Sequence, residues 1–192
     1  MIGSVFVRFQ MYMNESHGRD SWNELLKEAG FPSDKIYRSV RFYPDSEFDR
    51  LLALAVAKTR LERNVFLRDL GRHCGAYIIE TYKNMVLPRW RTLDVVEKVG
   101  AKIYRSIQFV DVNAPKSIFN CERISNEELI LHYDSPRKMC SYILGIIDAV
   151  AEHFGEKIVD VHDQCMNNCE EALECTITFR LVRAAKPLSV GK

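Results

Sequence analysis

Six cysteines are the residues best suited to chemistry in this chain of 192 residues. Three of them have the spacing C-x3-C-x5-C, and a fourth precedes them in the chain. Four thiolates at about 2.3 Å around a tetrahedral ion form a closed structural zinc site. A hairpin between two strands brings its ends together and lets the thiols converge. The sequence therefore predicts a zinc site with the ligands Cys140, Cys165, Cys169 and Cys175.

Other interpretations of these cysteines stay open. His162 is close in sequence and competes for the place of the fourth ligand. An iron–sulfur cluster also accepts four thiolates, but its usual C-x2-C spacing is missing. Buried cysteines can also be small hydrophobic residues, which is what we expect of Cys74 and Cys121. The chain shows no export signal, so we expect a cytoplasmic protein, in which reduced thiols favour a metal or redox site over disulfides.

The segment YDSPR forms a second candidate site. On an extended segment alternate side chains point the same way, so Tyr133, Ser135 and Arg137 present two hydroxyls and a guanidinium together. This set predicts a clamp for a ligand carboxylate, which arginine can bind through two nitrogens. An acidic residue of the chain itself is the alternative partner of Arg137, with Asp134 and Glu127 nearest in sequence. A strand-end tyrosine and a solvated arginine would have the same pattern.

The elements that position these residues follow from the hydrophobic pattern. Apolar residues recur at helical spacing over residues 2–16, 22–29, 45–58, 63–84 and 93–105. Alternating, β-branched segments predict strands at 117–123, 128–133, 157–164 and 174–182, with an apolar helix at 139–154. The predicted fold is α+β. Residues 1–113 form a helical subdomain, residues 114–183 an antiparallel sheet with a long helix and the metal site, and residues 184–192 a tail or linker.

The composition excludes several classes of protein. Lys and Arg number 27 and Asp and Glu 26, a net charge of +1 that argues against a nucleic-acid-binding protein. No apolar run approaches the ~18 residues of a membrane span. The chain has no serine-hydrolase, P-loop or dinucleotide-binding motif. We therefore expect a protein that is not an enzyme.

Several segments resemble the haem–nitric oxide/oxygen binding (H-NOX) family, the sensor domain of soluble guanylate cyclase and of bacterial relatives. They are IGSVFVRFQMYMNESHGRDSWNELLKEAGF, FYPDSEFDRLLALAVAKT, FLRDLGRHCGAYI, IFNCE and ELILHYDSPRKMCSYILGIIDAVAEHFGEKIV. The resemblance covers about residues 1–183. It implies that haem lies between the two subdomains and that Tyr133, Ser135 and Arg137 hold its propionates. It also implies that the cysteine cluster corresponds to the zinc site of certain bacterial members.

The chain departs from this family at the iron ligand. The family uses a histidine on the helix before the strands, in a pattern like Leu-x-x-Leu-His. The matching position falls at about Gly100, and no histidine lies between Leu87 and Leu131. The sequence therefore predicts that the family's histidine ligation of haem is absent. His73, beside Cys74, is an alternative ligand from the opposite side of the pocket, or else a partly buried helix residue.

The resemblance implies a sensor domain. It would relay a redox or ligand signal to a histidine kinase, a diguanylate cyclase or a chemotaxis receptor. One alternative is a protein that binds or modifies tetrapyrroles, related to vinyl reductases of chlorophyll precursors. Others are a haem-based gas sensor with a non-standard iron ligand, and an interaction module with an empty pocket. Zinc is the predicted cofactor, and haem or another tetrapyrrole is the candidate ligand.

Overall fold

The helices lie mainly in the first part of the chain. The computed structural model describes residues 1–100, 102, 118–134, 137–164 and 174–182. The α-helices are α1 (Gly3–Ser16), α2 (Ser21–Glu28), α3 (Asp45–Thr59), α4 (Arg63–Tyr82), α5 (Thr92–Val95) and α6 (Cys140–His153). A 3-10 turn, Lys83–Met85, follows α4, and a π-helical turn, Val96–Gly100, follows α5. Within the described part of the chain, no helix is long and apolar enough to cross a membrane.

Four antiparallel strands form one sheet in the order β1-β2-β4-β3. They are β1 (Ile118–Arg123), β2 (Glu128–Asp134), β3 (Lys157–Gln164) and β4 (Glu174–Val182). The predicted α+β fold is therefore confirmed, and the bounds of most elements lie within two residues of those predicted. The predicted helix 93–105 begins as a short α-helix at Thr92, continues as a π-helical turn and is helical again at Lys102, and its end lies outside the described residues. The predicted subdomain bounds stay a prediction.

Aromatic side chains form the core of the helical part. Phe6, Phe9, Trp22, Phe48 and Phe66 are at most 1% exposed. The ring of Phe9 meets those of Trp22 and Phe66 edge to face, with centroids 5.4 and 5.6 Å apart. Edge-to-face aromatic pairs add to the free energy of burial. The core therefore fixes α1 against α2, α3 and α4.

Helices α4 and α6 pack with their backbones in contact, because glycines lie at the crossing. A methyl group on Gly145 would overlap the carbonyl oxygen of Arg68, and one on Gly71 would overlap that of Tyr142. Beside this contact, Arg68 donates from Nε and Nη2 to the Asp148 carboxylate at 2.7 and 3.0 Å. The opposite side of α6 packs on the sheet. Helix α6 thus joins the helical part to the sheet.

Replacing Gly145 with alanine should lower the free energy of unfolding by about 1–3 kcal/mol, the usual cost of overpacking. The added methyl group forces α6 away from α4. Urea unfolding followed by circular dichroism measures the loss. The control is Glu152→Ala, an exposed position on the same helix, which should change the stability by no more than about 0.5 kcal/mol. Equal stabilities of the two variants would contradict the close packing.

Candidate functional site

A cavity of about 420 Å³ is the candidate site. Its wall comes from α1, α4, the π-helical turn, β1, β2 and α6. Most of the wall is apolar and includes Val5, Ile78, Val96, Phe119, Ile143 and Ile146. Ligand pockets are typically about 300–1,000 Å³ and largely apolar with a few polar groups. The cavity therefore suits an apolar ligand that carries a small number of polar groups.

The structure brings two residues of the predicted clamp to this cavity. Tyr133, on β2, lines the wall and is 5% exposed. Arg137, just before α6, also lines the wall. Ser135 lies outside the described residues. The binding of a ligand carboxylate by these residues stays a prediction.

Arg137 has an internal carboxylate partner that is remote in sequence. Its Nε donates to Oδ2 of Asp45 at 2.8 Å, across 92 residues of chain. The N-terminal amine of Met1 also pairs with Asp45 and donates to the carbonyl oxygen of Tyr43 at 2.7 Å. The sequence had pointed to neighbouring acids as the internal partner. The partner that the structure shows comes from the start of α3, because the fold closes α3 onto the segment before α6.

This pairing changes the acidity of Asp45. Burial by itself raises the pKa of Asp45, but hydrogen bonds from Arg137 and the Met1 amine outweigh it, so the pKa is lowered. A carboxylate with a lowered pKa in the folded state stabilises the fold above its unfolded pKa. That contribution is lost as the pH falls through the folded-state pKa.

Removing the guanidinium should therefore raise the pKa of Asp45. We expect the carboxyl NMR resonance of Asp45 to titrate at a higher pH in Arg137→Ala than in the unmodified protein, because burial then acts against fewer opposing hydrogen bonds. The acid-stability difference between the two proteins should shrink as Asp45 becomes protonated. An unchanged titration midpoint would contradict the ion pair.

Gly100 lies in the cavity wall at the end of the π-helical turn. A Cβ atom placed on it would lie 2.9 Å from Cε1 of Phe119. Phe119, on β1, therefore lies where a side chain at position 100 would begin. Among the described residues that line the cavity there is no histidine. An apolar wall with Arg137 would suit a ring that carries carboxylates, and the described part of the wall offers no imidazole as a ligand for its iron.

His73 is bound on another side of α4. Its Nε2 lies 2.8 Å from Oε2 of Glu15 on α1, and its ring meets that of Tyr12 edge to face. The cavity wall includes the next residue, Cys74, and not His73. The contacts of His73 thus match the simpler interpretation, a partly buried helix residue.

The sequence did not identify Cys74 and Tyr142 as cavity residues. Both line the wall, and each side chain contributes to the pKa shift of the other. Burial raises the pKa of Cys74 to about 11, so the thiol is neutral at neutral pH. Helical spacing alone places Cys74 in line with Leu70 and Ile78, which indicated a core position. That position proves to face both the core and the cavity.

The described residues leave the zinc prediction untested. Cys140 begins α6, is fully buried, and packs in one apolar cluster with Tyr133. Cys175 stands opposite Tyr133 in the register of β2 and β4. Cys165 and Cys169 lie outside the described residues. Among the residues that are described, no three His, Cys, Asp or Glu side chains form a group able to hold a metal.

Comparison with known proteins finds similar solved structures, and three of them illustrate the likeness. A mutant H-NOX protein from S. oneidensis, in the Fe(II) ligation state, is 22% identical, with 97% of this chain and 98% of that chain covered and a TM-score of 0.82. An isoleucine-to-phenylalanine mutant of T. tengcongensis H-NOX is 19% identical, with 96% and 98% covered and a TM-score of 0.80. A histidine-to-glycine mutant of the Shewanella oneidensis H-NOX domain, in the Fe(II)CO ligation state, is 23% identical, with 94% and 98% covered and a TM-score of 0.77.

At these identities the solved structures show a shared fold. No curated protein matches the chain. The model of the haem-NO-binding family matches residues 2–162, which is most of the chain and includes both halves of the cavity wall. This match agrees with the cavity, with the clamp residues in its wall and with the fold. The chain therefore belongs to the haem-NO-binding (H-NOX) family.

Proposed function

We propose that the protein is a sensor domain that binds an anionic, largely apolar ligand, such as a tetrapyrrole, without histidine-ligated iron. The observation that carries the proposal is an apolar cavity of about 420 Å³ with Arg137 and Tyr133 in its wall. Val96, Val99 and Ile146 would bury the ring of the ligand. The guanidinium of Arg137 would bind its carboxylates. The role is non-catalytic.

Arg137 would connect ligand binding to the helical part of the protein. Its guanidinium has several N–H donors, so a ligand carboxylate would share or displace Asp45. Asp45 begins α3 and also pairs with Met1 at the start of α1. A change in the bonding of Arg137 would therefore reach two helices of the helical part. We propose that this change is passed to a histidine kinase, a diguanylate cyclase or a chemotaxis receptor.

Titration with protoporphyrin and with haemin tests the proposal. Haemin is included beside the iron-free ring because an H-NOX domain in which a histidine was replaced by glycine has a structure in the Fe(II)CO ligation state. The comparison of the two rings measures what the iron adds to the affinity. We expect both to bind with similar affinity, because iron gains no bond to an imidazole in this cavity. The Soret band of the haemin complex should not change in His73→Ala. A Soret band in the protein as purified that is lost with one histidine would contradict the proposal.

We also propose one zinc ion per chain at Cys140, Cys165, Cys169 and Cys175, able to respond to oxidants. Peroxide would take two electrons from two zinc-bound thiolates, which form a disulfide and release the metal, while the peroxide is reduced to water. Only thiolates react in this way. Burial raises the pKa of Cys121 to about 12 and leaves its thiol neutral. The metal-bound thiolates are therefore the ones we expect to respond.

A further inference from the structure

We propose that the loop between α2 and α3 is a docking surface for a partner protein that presents carboxylates around an apolar spot. The surface, which we call the 36–41 surface, consists of Ile36, Arg38, Val40 and Arg41. It deepens the proposed function, since it names where a sensor of this shape meets its output partner. Its chemistry can be tested without knowing the cavity ligand.

Two large apolar side chains of this surface are open to solvent. Ile36 is 79% exposed and Val40 is 77% exposed. A single exposed apolar residue is common on any soluble protein. Here two of them alternate with arginines within six residues of chain. An apolar centre beside arginine side chains is the composition typical of protein interfaces.

The two arginines are exposed and unpaired within the described part of the chain. Neither the Arg38 nor the Arg41 guanidinium has a hydrogen bond, an ion pair or an aromatic ring as a partner among the described residues. By contrast, Lys35 on the same loop donates to Glu47 at 2.7 Å. Arginine is among the residues that most often carry binding energy at interfaces. The two exposed guanidinium groups are complementary in charge and geometry to carboxylates on a partner.

The loop is held firmly, although its outer side chains are exposed. Tyr37 is 4% exposed and stacks on Phe6, with ring centroids 4.1 Å apart. Its hydroxyl donates to Glu47 at 2.9 Å, and the backbone N–H of Arg38 donates to the Tyr43 hydroxyl at 2.8 Å. A surface fixed in this way loses little conformational entropy on binding. The backbone that carries the exposed residues is therefore preorganised for a partner.

The same loop touches the cavity. Its carbonyl oxygens accept the first N–H groups of α1: Gly3 donates to Arg41 at 2.7 Å and Ser4 to Ser39 at 3.0 Å. Ser39 and Phe42 line the cavity wall. A ligand that moves the start of α1 therefore moves the backbone that carries the 36–41 surface. A structural change at the cavity could therefore reach the partner through this loop.

The charge of the surface favours a protein over a membrane. Polybasic membrane-binding segments carry clusters of about 4–8 Lys or Arg, whereas this surface has two exposed arginines and two exposed apolar side chains. An acidic protein segment with one or two apolar side chains matches it in number and sign. Vesicles rich in phosphatidylglycerol serve as the membrane alternative in the test.

The probe is a synthetic amphipathic peptide with leucines on one face and glutamates beside them. We expect the unmodified protein to bind it, and Arg38→Glu/Arg41→Glu to weaken binding at least about tenfold. Ile36→Ser/Val40→Ser should weaken it as well. Arg89→Glu, an exposed arginine before α5, is the matched control and should bind as tightly as the unmodified protein. A peptide with lysine in place of glutamate should bind the Arg38→Glu/Arg41→Glu variant and not the unmodified protein.

Equal binding of the glutamate peptide to all variants, or no binding to the unmodified protein, would overturn the proposal. Binding to the vesicles through the same arginines, in place of the peptide, would also overturn it. Protoporphyrin titration of each variant separates this surface from the cavity. Peptide binding without protoporphyrin binding keeps the 36–41 surface and removes the proposed ligand. Protoporphyrin binding without peptide binding supports the proposed ligand and contradicts the 36–41 surface.

Discussion

Replacing Arg137 with alanine should weaken the binding of protoporphyrin about 30- to 150-fold. A hydrogen bond to a charged group contributes roughly 2–3 kcal/mol, and each 1.4 kcal/mol is a factor of about ten in affinity. The apolar wall remains in the variant, so a residual, weaker affinity should persist. Fluorescence titration of the iron-free ring measures both affinities directly.

Two further variants make this result specific. Tyr133→Phe removes one hydroxyl from the wall and should cost less affinity than the loss of the guanidinium. Arg89→Ala removes an exposed arginine outside the cavity wall and should bind as the unmodified protein does. Equal affinities of Arg137→Ala and the unmodified protein for protoporphyrin would contradict the proposed carboxylate clamp. If neither Arg137→Ala nor the unmodified protein binds protoporphyrin, the proposal that the cavity binds this ligand is wrong.

Replacing Cys169 with serine should remove most of the zinc and lower the stability of the protein. Metal binding to a structural site is coupled to folding, so its free energy is lost with the ligand. Elemental analysis of freshly reduced protein and thermal unfolding measure the two effects. Cys121→Ser is the control, since Cys121 lies on β1 and belongs to no predicted ligand set. Absence of metal in the reduced, unmodified protein would contradict the zinc site.

The zinc site and the cavity share helix α6. Cys140 begins this helix three residues after Arg137, and Cys140 and Tyr133 pack in one cluster. Loss of the metal would therefore shift the clamp and change the affinity for the ligand. Comparing protoporphyrin binding by metal-loaded and peroxide-oxidised protein tests this coupling. Equal affinities would show that the two sites act separately.

Local patterns were enough to predict most of the fold. The four strands and most of the helices follow from the period of their apolar residues, because a buried face repeats with the geometry of the element. The π-helical turn at Val96–Gly100 was not predictable, since its extra residue per turn leaves no mark in composition. Tyr133 and Arg137 were identified from their chemistry and from the family resemblance, and both lie in the cavity wall.

The remaining features depend on contacts that are distant in the chain. Asp45 pairs with Arg137 only because α3 folds back onto the segment before α6. Phe119 meets Gly100 only because β1 lies beside the π-helical turn. Cys74 has the same apolar neighbours in sequence as any core residue, so its place in the wall could not be separated from a place in the core. The spacing of residues along the chain does not predict these contacts.

The composition of the cavity wall also sets the order in which the site can form during synthesis. The wall includes Val5 from α1 and Val150 from α6, so it is incomplete until α6 has left the ribosome. A chain emerges at about 5–20 residues per second and its N-terminal part folds first. The apolar faces of α1 and α4 therefore wait several seconds for α6. A ligand that binds during this interval meets the separate faces of α1 and α4, whereas one that arrives later meets the complete wall.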